Sequence, residues 1–178
     1  MPPVLSQDPF EAVHRAVQAR WLDVPMAILS ALTDGWVLAL VALAIYAWLE
    51  PDLGAVARAY LPLAAALAVA AGAVIALRTA WTAPRPAGTA AAPGLLDPVL
   101  RHGFPGGQAL YAATFAAYTV RRYRRGGLFA LAFPLAAGVA RVYAGPAWPT
   151  EIAGGLAAGT ALGLSAGWAA ARLAPRLP

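Results

Sequence analysis

Long apolar blocks are the feature of this sequence that most constrains its fold. A helix that crosses a membrane needs about 20 mostly apolar residues, and five segments of the chain come near that length. Backbone groups inside a bilayer must be hydrogen-bonded within the protein, so each block is expected to be a helix. The pattern predicts an all-α, polytopic membrane bundle of about five transmembrane helices. The five blocks are residues 25–49, 55–77, 105–120, 127–143 and 152–173.

The composition agrees with burial in a membrane. Of the 178 residues, 61% are hydrophobic and 12% are charged, whereas soluble domains average about 45–50% apolar and about 25% charged residues. The absence of cysteine excludes disulfide frameworks and thiolate zinc sites, and no metal or cofactor is expected. The net charge of +5 comes from arginines that lie between apolar blocks rather than along one polar face. Nucleic acid is therefore not an expected partner.

The chain is expected to form one membrane domain, residues 1–178, with a distinct N-terminal segment. In residues 1–24, charged side chains alternate with apolar ones at helical spacing, which predicts an amphipathic helix lying in the membrane interface. The apolar members are Phe10, Val13, Val17 and Trp21. Residues 25–178 are expected to form the helical bundle.

Two local features modify the apolar blocks. Asp34 and Gly35 interrupt the first block, and the Asp34 carboxylate is expected to cap the helix that resumes there rather than to relay protons. The last block contains glycines at small-residue spacing, which favours close packing of that helix on a neighbour. These glycines are Gly154, Gly155, Gly159, Gly163 and Gly167.

The arginines predict an orientation. All 13 basic residues are arginine, and five spans would place seven of them on one side and six on the other. Three of the six are the site candidates described below. Without them the count is seven against three, so the positive-inside rule places the loop with Arg121 and Arg125 in the cytoplasm. We expect an integral protein of a bacterial inner membrane, with residues 79–103 and the N-terminus on the outer, periplasmic side.

Three arginines are predicted to meet on that outer side. Arg78, Arg85 and Arg141 lie at the ends of neighbouring predicted helices, where arginine is costly unless it is paired or solvated. The planar guanidinium suits phosphate, and Gly106 and Gly107 at a helix start offer backbone N–H groups to an anion. The sequence therefore predicts a phosphate site. The alternative is a set of interfacial arginines that contact lipid headgroups.

Three motifs carry these residues. They are Arg78 with Arg85-Pro86, then Pro105-Gly106-Gly107-Gln108, then Ala140-Arg141 followed by Ala147 and Glu151. Their order, spacing and position at helix ends resemble the K-x6-R-P, P-S-G-H and S-R-x5-H-x3-D motifs of the type-2 phosphatidic acid phosphatases, the lipid phosphate phosphatase and haloperoxidase superfamily. The resemblance extends over nearly the whole chain. It implies the fold of that superfamily and a site for the phosphate of a membrane lipid.

The resemblance also implies roles for the motif positions. In the family, the histidine of the third motif attacks phosphorus, the aspartate orients it, and the histidine of the second motif protonates the leaving group. Here Ala147 occupies the nucleophile position, Gln108 the acid position and Glu151 the aspartate position, while Gly106 replaces the serine. A methyl group cannot attack, and an amide cannot supply a proton near pH 7. No residue is therefore expected to be catalytic by the family mechanism.

The expected function is non-catalytic binding of a phosphate-bearing lipid, such as a polyprenyl phosphate or a phosphatidate-like lipid, for lipid handling, transport or partner regulation. Two alternatives stay open. One is a lipid phosphate or pyrophosphate phosphatase in which His102 or Glu151 substitutes for the missing histidine. The other is a structural subunit bound to another membrane protein.

Overall fold

The computed structural model describes residues 19–80, 106–144 and 149–173. Within these ranges the chain is helical apart from short turns, and no strand is present. The predicted all-α class is therefore confirmed for this part of the chain. The helices are α1 (Arg20–Leu32), α2 (Gly35–Leu49), α3 (Leu53–Ala80), α4 (Gly107–Tyr123), a 3-10 helix (Arg124–Leu131), α5 (Ala132–Ala144) and α6 (Pro149–Leu173).

Three helical segments are long and apolar enough to cross a membrane: Leu53–Ala80, Gly107–Tyr143 and Thr150–Arg172. The bent pair of α1 and α2 would make a fourth. Large apolar side chains such as Trp36, Leu61 and Leu135 are exposed on the surface, as expected where lipid is the solvent. These features indicate an integral membrane protein. The count of five spans remains a prediction.

The chain reverses direction between α4 and α5. After Tyr123 it continues as the 3-10 helix, and Gly127 lies against the backbone of Thr119. Phe115 of α4 and Phe133 of α5 then pack edge to face, with ring centroids 4.9 Å apart. The helical stretch Gly107–Tyr143 is therefore a hairpin rather than one straight rod.

The first apolar block is broken at the position where the sequence predicted an interruption. Helices α1 and α2 meet at an angle of 76°. Thr33 is fully buried at the break, and its hydroxyl donates to the carbonyl oxygen of Ser30 at 2.9 Å. Helix α1 begins at Arg20, so the predicted boundary at residue 24 falls inside it. Residues 1–18 of the predicted amphipathic segment lie outside the described residues.

Helix α1 crosses one end of the bundle instead of continuing along α2. At its start, the hydroxyl of Tyr143 accepts from the backbone N–H of Ala19 at 3.3 Å and donates to the Asp23 carboxylate, and the carbonyl oxygen of Ala19 lies 2.8 Å from it. Near its other end, the Gln108 amide donates to the carbonyl oxygen of Ser30 at 3.1 Å. Because Tyr143 lies in the last turn of α5 and Gln108 in the first turn of α4, both contacts lie at the same end of the bundle. We call it the site end, since Arg78 and Glu151 also lie there.

Helices α2, α3 and α4 share a buried core in which polar groups are paired. The hydroxyl groups of Tyr46 and Thr119 are 2.8 Å apart, and Tyr118 donates to the carbonyl oxygen of Ala59 at 2.7 Å. Leu38 and Leu63 pack around them and are fully buried. An unpaired hydroxyl in such a core would cost roughly 1–3 kcal/mol, so these two bonds align the three helices.

Helix α6 packs on α4 through glycine, as the small-residue spacing predicted. A methyl group on Gly155 would lie 2.5 Å from the carbonyl oxygen of Gly106. Methyl groups on Gly159 and Gly163 would overlap the carbonyl oxygens of Leu110 and Thr114. The prediction of close packing is confirmed, because only hydrogen fits between these backbones.

At the other end of the bundle, Glu50 joins α2 to α4. Its Oε1 accepts hydrogen bonds from Arg122 Nη2 at 2.8 Å and from the Tyr123 hydroxyl at 2.6 Å. Asp52 then caps the N-terminus of α3, because its Oδ1 accepts a hydrogen bond from the backbone N–H of Ala55 at 2.8 Å. We call this the arginine-rich end, because the last turn of α4 and the start of the 3-10 helix carry four arginines there: Arg121, Arg122, Arg124 and Arg125.

Candidate functional site

Arg78 lies in the last turn of α3 with its side chain buried, at 8% exposure. Its guanidinium faces the start of α4, where a methyl group on Gly107 would lie 3.6 Å from Nη2. The apolar chain of Val74, one turn earlier on α3, lies 3.7 Å from the same point. The first and second motifs therefore meet at the N-terminus of α4.

The second and third motifs meet through the backbone. Gly106 donates its N–H to the carbonyl oxygen of Glu151 at 3.1 Å, and a methyl group on Gly106 would lie 2.9 Å from that oxygen. Glycine at this position allows α4 and α6 to start side by side. The Gly106 N–H is not free in this structure, because it is donated to the carbonyl oxygen of Glu151, and its role in phosphate binding stays a prediction.

Gln108 is held by the broken helix. Its Nε2 donates to Asp34 Oδ1 at 2.7 Å and to the carbonyl oxygen of Ser30 at 3.1 Å, while the Ser30 hydroxyl donates to Gln108 Oε1 at 3.3 Å. The Gln108 amide thus ties α4 to the junction of α1 and α2. A bond to a carboxylate is stronger than one between neutral groups, so Gln108 has a fixed orientation.

Asp34 does not act as the predicted cap. It directly precedes α2, and its backbone carbonyl accepts from Leu38 at 2.7 Å, but its side chain makes no capping bond. The carboxylate accepts from Gln108 instead. Helix α2 begins where the sequence predicted, at Gly35, and the Asp34 side chain binds Gln108 at the site end.

Glu151 and Arg141 complete the described part of the third motif. Glu151 is in the first turn of α6 and only 3% exposed, a position where the helix dipole favours a carboxylate. Arg141 is in the last turn of α5 and partly buried. Its neighbour Val142 packs against Ala109 and Ile152, which places the end of α5 beside the starts of α4 and α6.

Three predicted site residues, Arg85, His102 and Ala147, lie outside the described residues. The candidate site is therefore known from Arg78, Arg141, Glu151 and the start of α4. The charges of the described side chains around it balance, because Arg78 and Arg141 are opposed by Asp34 and Glu151.

Sequence reasoning missed three members of the site end: Ser30 and Asp34, which bind Gln108, and Tyr111. The Tyr111 ring lies 3.0 Å from where a methyl group on Gly35 would be, and Arg78 and Asp34 both act electrostatically on its hydroxyl. A signal for Tyr111 was present, since it follows Gln108 by three residues and shares its helix face. No comparable signal existed for Ser30, because its place depends on the direction of α1.

No group of three His, Asp or Glu side chains within the described ranges is arranged to hold a metal ion. Comparison of the chain with protein-family models, curated proteins and solved structures gives no match. The functional argument therefore depends on the residues and geometry of the site itself.

Proposed function

We propose that this protein is a non-catalytic membrane relative of the lipid phosphate phosphatases that binds a phosphate-bearing lipid at the site end. Arg78, Arg85 and Arg141 would hold the phosphate, and Gly107 would allow it to approach the N-terminus of α4. The proposal includes the five-span fold of that superfamily and a site facing the periplasm of a bacterial cell. The lipid would be a polyprenyl phosphate or a phosphatidate-like molecule.

The observation that carries the proposal is the placement of the Arg78 guanidinium beside Gly107. The guanidinium is buried beside a helix N-terminus, and because guanidinium groups and helix N-termini both favour anions, a phosphate bound there would be held by both. Arg141 and Glu151 belong to the third motif and lie in the last turn of α5 and the first turn of α6. The described residues of the three motifs therefore lie at the same end of the bundle, which supports a shared site.

Two residues argue for binding without turnover. Ala147 offers no nucleophile at the position that attacks phosphorus in the family. Gln108 offers no acid, and its amide is engaged with Asp34 and Ser30. Loss of both groups removes a catalytic unit whose members act together.

The charge balance makes Arg85 decisive. Since the described arginines and carboxylates around the site cancel, the net positive charge that favours a phosphate would come from Arg85. Removing Arg85 together with Arg141 should therefore weaken binding strongly, while Arg78 is left in place because its burial makes it a poor target for substitution.

The test is titration of the purified protein in detergent with a polyprenyl phosphate and with the matching polyprenol, which lacks phosphate. We expect the wild type to prefer the phosphate, and the variant Arg85→Ala plus Arg141→Ala to bind it at least about tenfold more weakly, since charge-assisted bonds contribute roughly 1.5–3 kcal/mol. The control, Arg58→Ala plus Arg125→Ala, removes the same charge from the other end and should bind normally. Equal binding of the phosphate by all three proteins would contradict an arginine site for the lipid phosphate.

The same preparations decide the question of turnover. We expect no inorganic phosphate to be released from a panel of lipid phosphates and pyrophosphates. Release that survives purification and disappears in His102→Ala or Glu151→Gln would instead show an enzyme with altered catalytic residues.

A further inference from the structure

A cavity of about 270 Å³ opens at the arginine-rich end, between α4 and α6. Arg121, Arg122 and Arg124 line it together with Tyr118, and the α6 wall consists of small residues such as Gly167. Every charged residue that lines it in the described part of the chain is arginine. Drug-sized ligands occupy pockets of about 300–1,000 Å³, so this cavity suits a compact anionic group.

The arginines are positioned by specific contacts. Arg122 donates two hydrogen bonds to Glu50 Oε1, at 2.8 and 3.2 Å, and lies over the Tyr123 ring. The aliphatic stem of Arg121 passes over Gly167, where a methyl group would lie 3.2 Å from Cγ and Cδ. Arg124 has a φ of 53°, which is rare for a non-glycine residue and turns the chain sharply at the end of α4.

The charges on the cavity are not balanced. Glu50 compensates Arg122, whereas Arg121 and Arg124 add two positive charges to the wall. Excess positive charge favours an anion, and the planar guanidinium fork suits the geometry of phosphate.

The position of the cavity favours a membrane lipid as the source of the phosphate. It lies between the C-terminal ends of α4 and α6, which carry Arg121, Arg122 and Arg172 in their last turns, and basic residues at the ends of apolar helices are typical of the level of lipid headgroups. Next to it on α6, Trp168 is half exposed with Arg172 stacked 3.3 Å above its ring, as in interfacial anchors. Basic pockets between transmembrane helices at this level bind acidic headgroups.

We propose that this cavity is a second anion site, which holds the phosphodiester headgroup of an anionic membrane lipid. It lies at the opposite end from the site of the proposed function and shares no residue with it. A bound lipid would contact both α4 and α6 at their C-terminal ends. It would thereby hold this end of the bundle at the headgroup level of one leaflet.

The experiment is native mass spectrometry of the protein with added phosphatidylglycerol, with phosphatidylcholine, or with inorganic phosphate. We expect phosphatidylglycerol to bind preferentially. In Arg121→Gln plus Arg124→Gln its affinity should fall about 5- to 25-fold, as estimated from about 1 kcal/mol for each basic residue near a lipid surface. Arg122 is retained so that the link to Glu50 persists. A control variant, Arg58→Gln plus Arg125→Gln, loses the same charge from the same end without changing the cavity wall.

A second variant tests the cavity by shape rather than charge. Ala171→Phe fills the space and changes no charge, so it should also lose phosphatidylglycerol. Equal loss in the control pair, or unchanged binding in both cavity variants, would overturn the proposal. Equivalent binding of inorganic phosphate and phosphatidylglycerol would overturn the lipid assignment. Because Arg78, Arg85 and Arg141 are unchanged, neither result depends on the site of the proposed function.

Discussion

At the residue scale, one amide group joins three helices. Gln108 begins α4 and binds both Ser30 of α1 and Asp34 at the start of α2. The Gln108 side chain therefore fixes the geometry of the site end, and a residue without an amide at this position would lose these contacts.

We predict that Gln108→Ala lowers the free energy of unfolding by about 1–3 kcal/mol, because it leaves the Asp34 carboxylate without its amide donor. Thermal unfolding in detergent measures the loss, and a double-mutant cycle with Asp34→Ala should give a coupling of about 1 kcal/mol. Ser165→Ala is the control, since the Ser165 hydroxyl is exposed and bonds only within its own helix. Strictly additive effects of Gln108→Ala and Asp34→Ala would contradict the pairing.

Glu50 predicts a pH dependence. Burial opposes its ionisation, but hydrogen bonds from Tyr123 and Arg122 outweigh burial and lower the pKa of the carboxyl below its ordinary value of 4.5. A lowered folded-state pKa stabilises the protein above the unfolded pKa, and that contribution is lost as the pH falls through the folded pKa.

Melting temperatures in detergent should therefore fall on acidification below about pH 4.5, the ordinary pKa of Glu50, and Glu50→Gln should fall less steeply over the same range. Asp52→Asn is the matched carboxyl control. Parallel acid profiles for wild type and Glu50→Gln would show that the Glu50 contacts do not stabilise the folded state.

The residue scale also shows how far the candidate site was predictable. Arg78 and Gly107 adjoin as expected from the order of the motifs, because the last turn of α3 and the first turn of α4 lie at the same end of the bundle. Two aspects were not predictable. The N–H of Gly106 is taken by Glu151, and this depends on how closely α4 and α6 start together. The partner of Asp34 depends on the direction of α1.

At the element scale, the contact of α4 with α6 is set by glycine on one helix and backbone oxygens on the other. This contact could be predicted from the spacing of the glycines, because small residues at every fourth position leave a continuous groove along one face of the helix. The bend between α1 and α2 was predictable in place but not in angle. The contacts that direct α1 come from Tyr143 and Gln108, which are remote in sequence.

We predict that Gly159→Ala destabilises the protein by at least about 1–3 kcal/mol, the usual cost of overpacking. The new methyl group would overlap the carbonyl oxygen of Leu110 and lie 2.9 Å from the Ala113 side chain, and a backbone oxygen cannot move aside cheaply. Gly72→Ala is the control, because nothing lies within 4 Å of its added methyl group. It should leave the melting temperature unchanged or raise it through helix propensity. Similar melting temperatures for the two variants would contradict the close packing of α4 on α6.

At the scale of the whole molecule, the two ends of the bundle carry unequal charge. Among the described residues, the site end has Arg20, Arg78 and Arg141. The arginine-rich end has Arg58, Arg121, Arg122, Arg124, Arg125 and Arg172. Under the positive-inside rule this asymmetry predicts that the arginine-rich end faces the cytoplasm.

The absence of cysteine makes that orientation simple to measure. Thr79→Cys at the site end should react with a membrane-impermeant thiol reagent in intact cells, and Gly126→Cys should react only after permeabilisation. Both positions are exposed. The reverse pattern would place the site in the cytoplasm, and labelling of both in intact cells would contradict a membrane between them.

The docking of α1 on α5 has a consequence for the timing of biogenesis. Ala19 and its partner Tyr143 are 124 residues apart, and a ribosome adds about 5–20 residues each second. For about 6–25 s after Ala19 is made, the partner that holds the start of α1 does not exist. During that interval α1 cannot dock on α5, and the site end cannot be assembled before Tyr143 and Glu151 have been made.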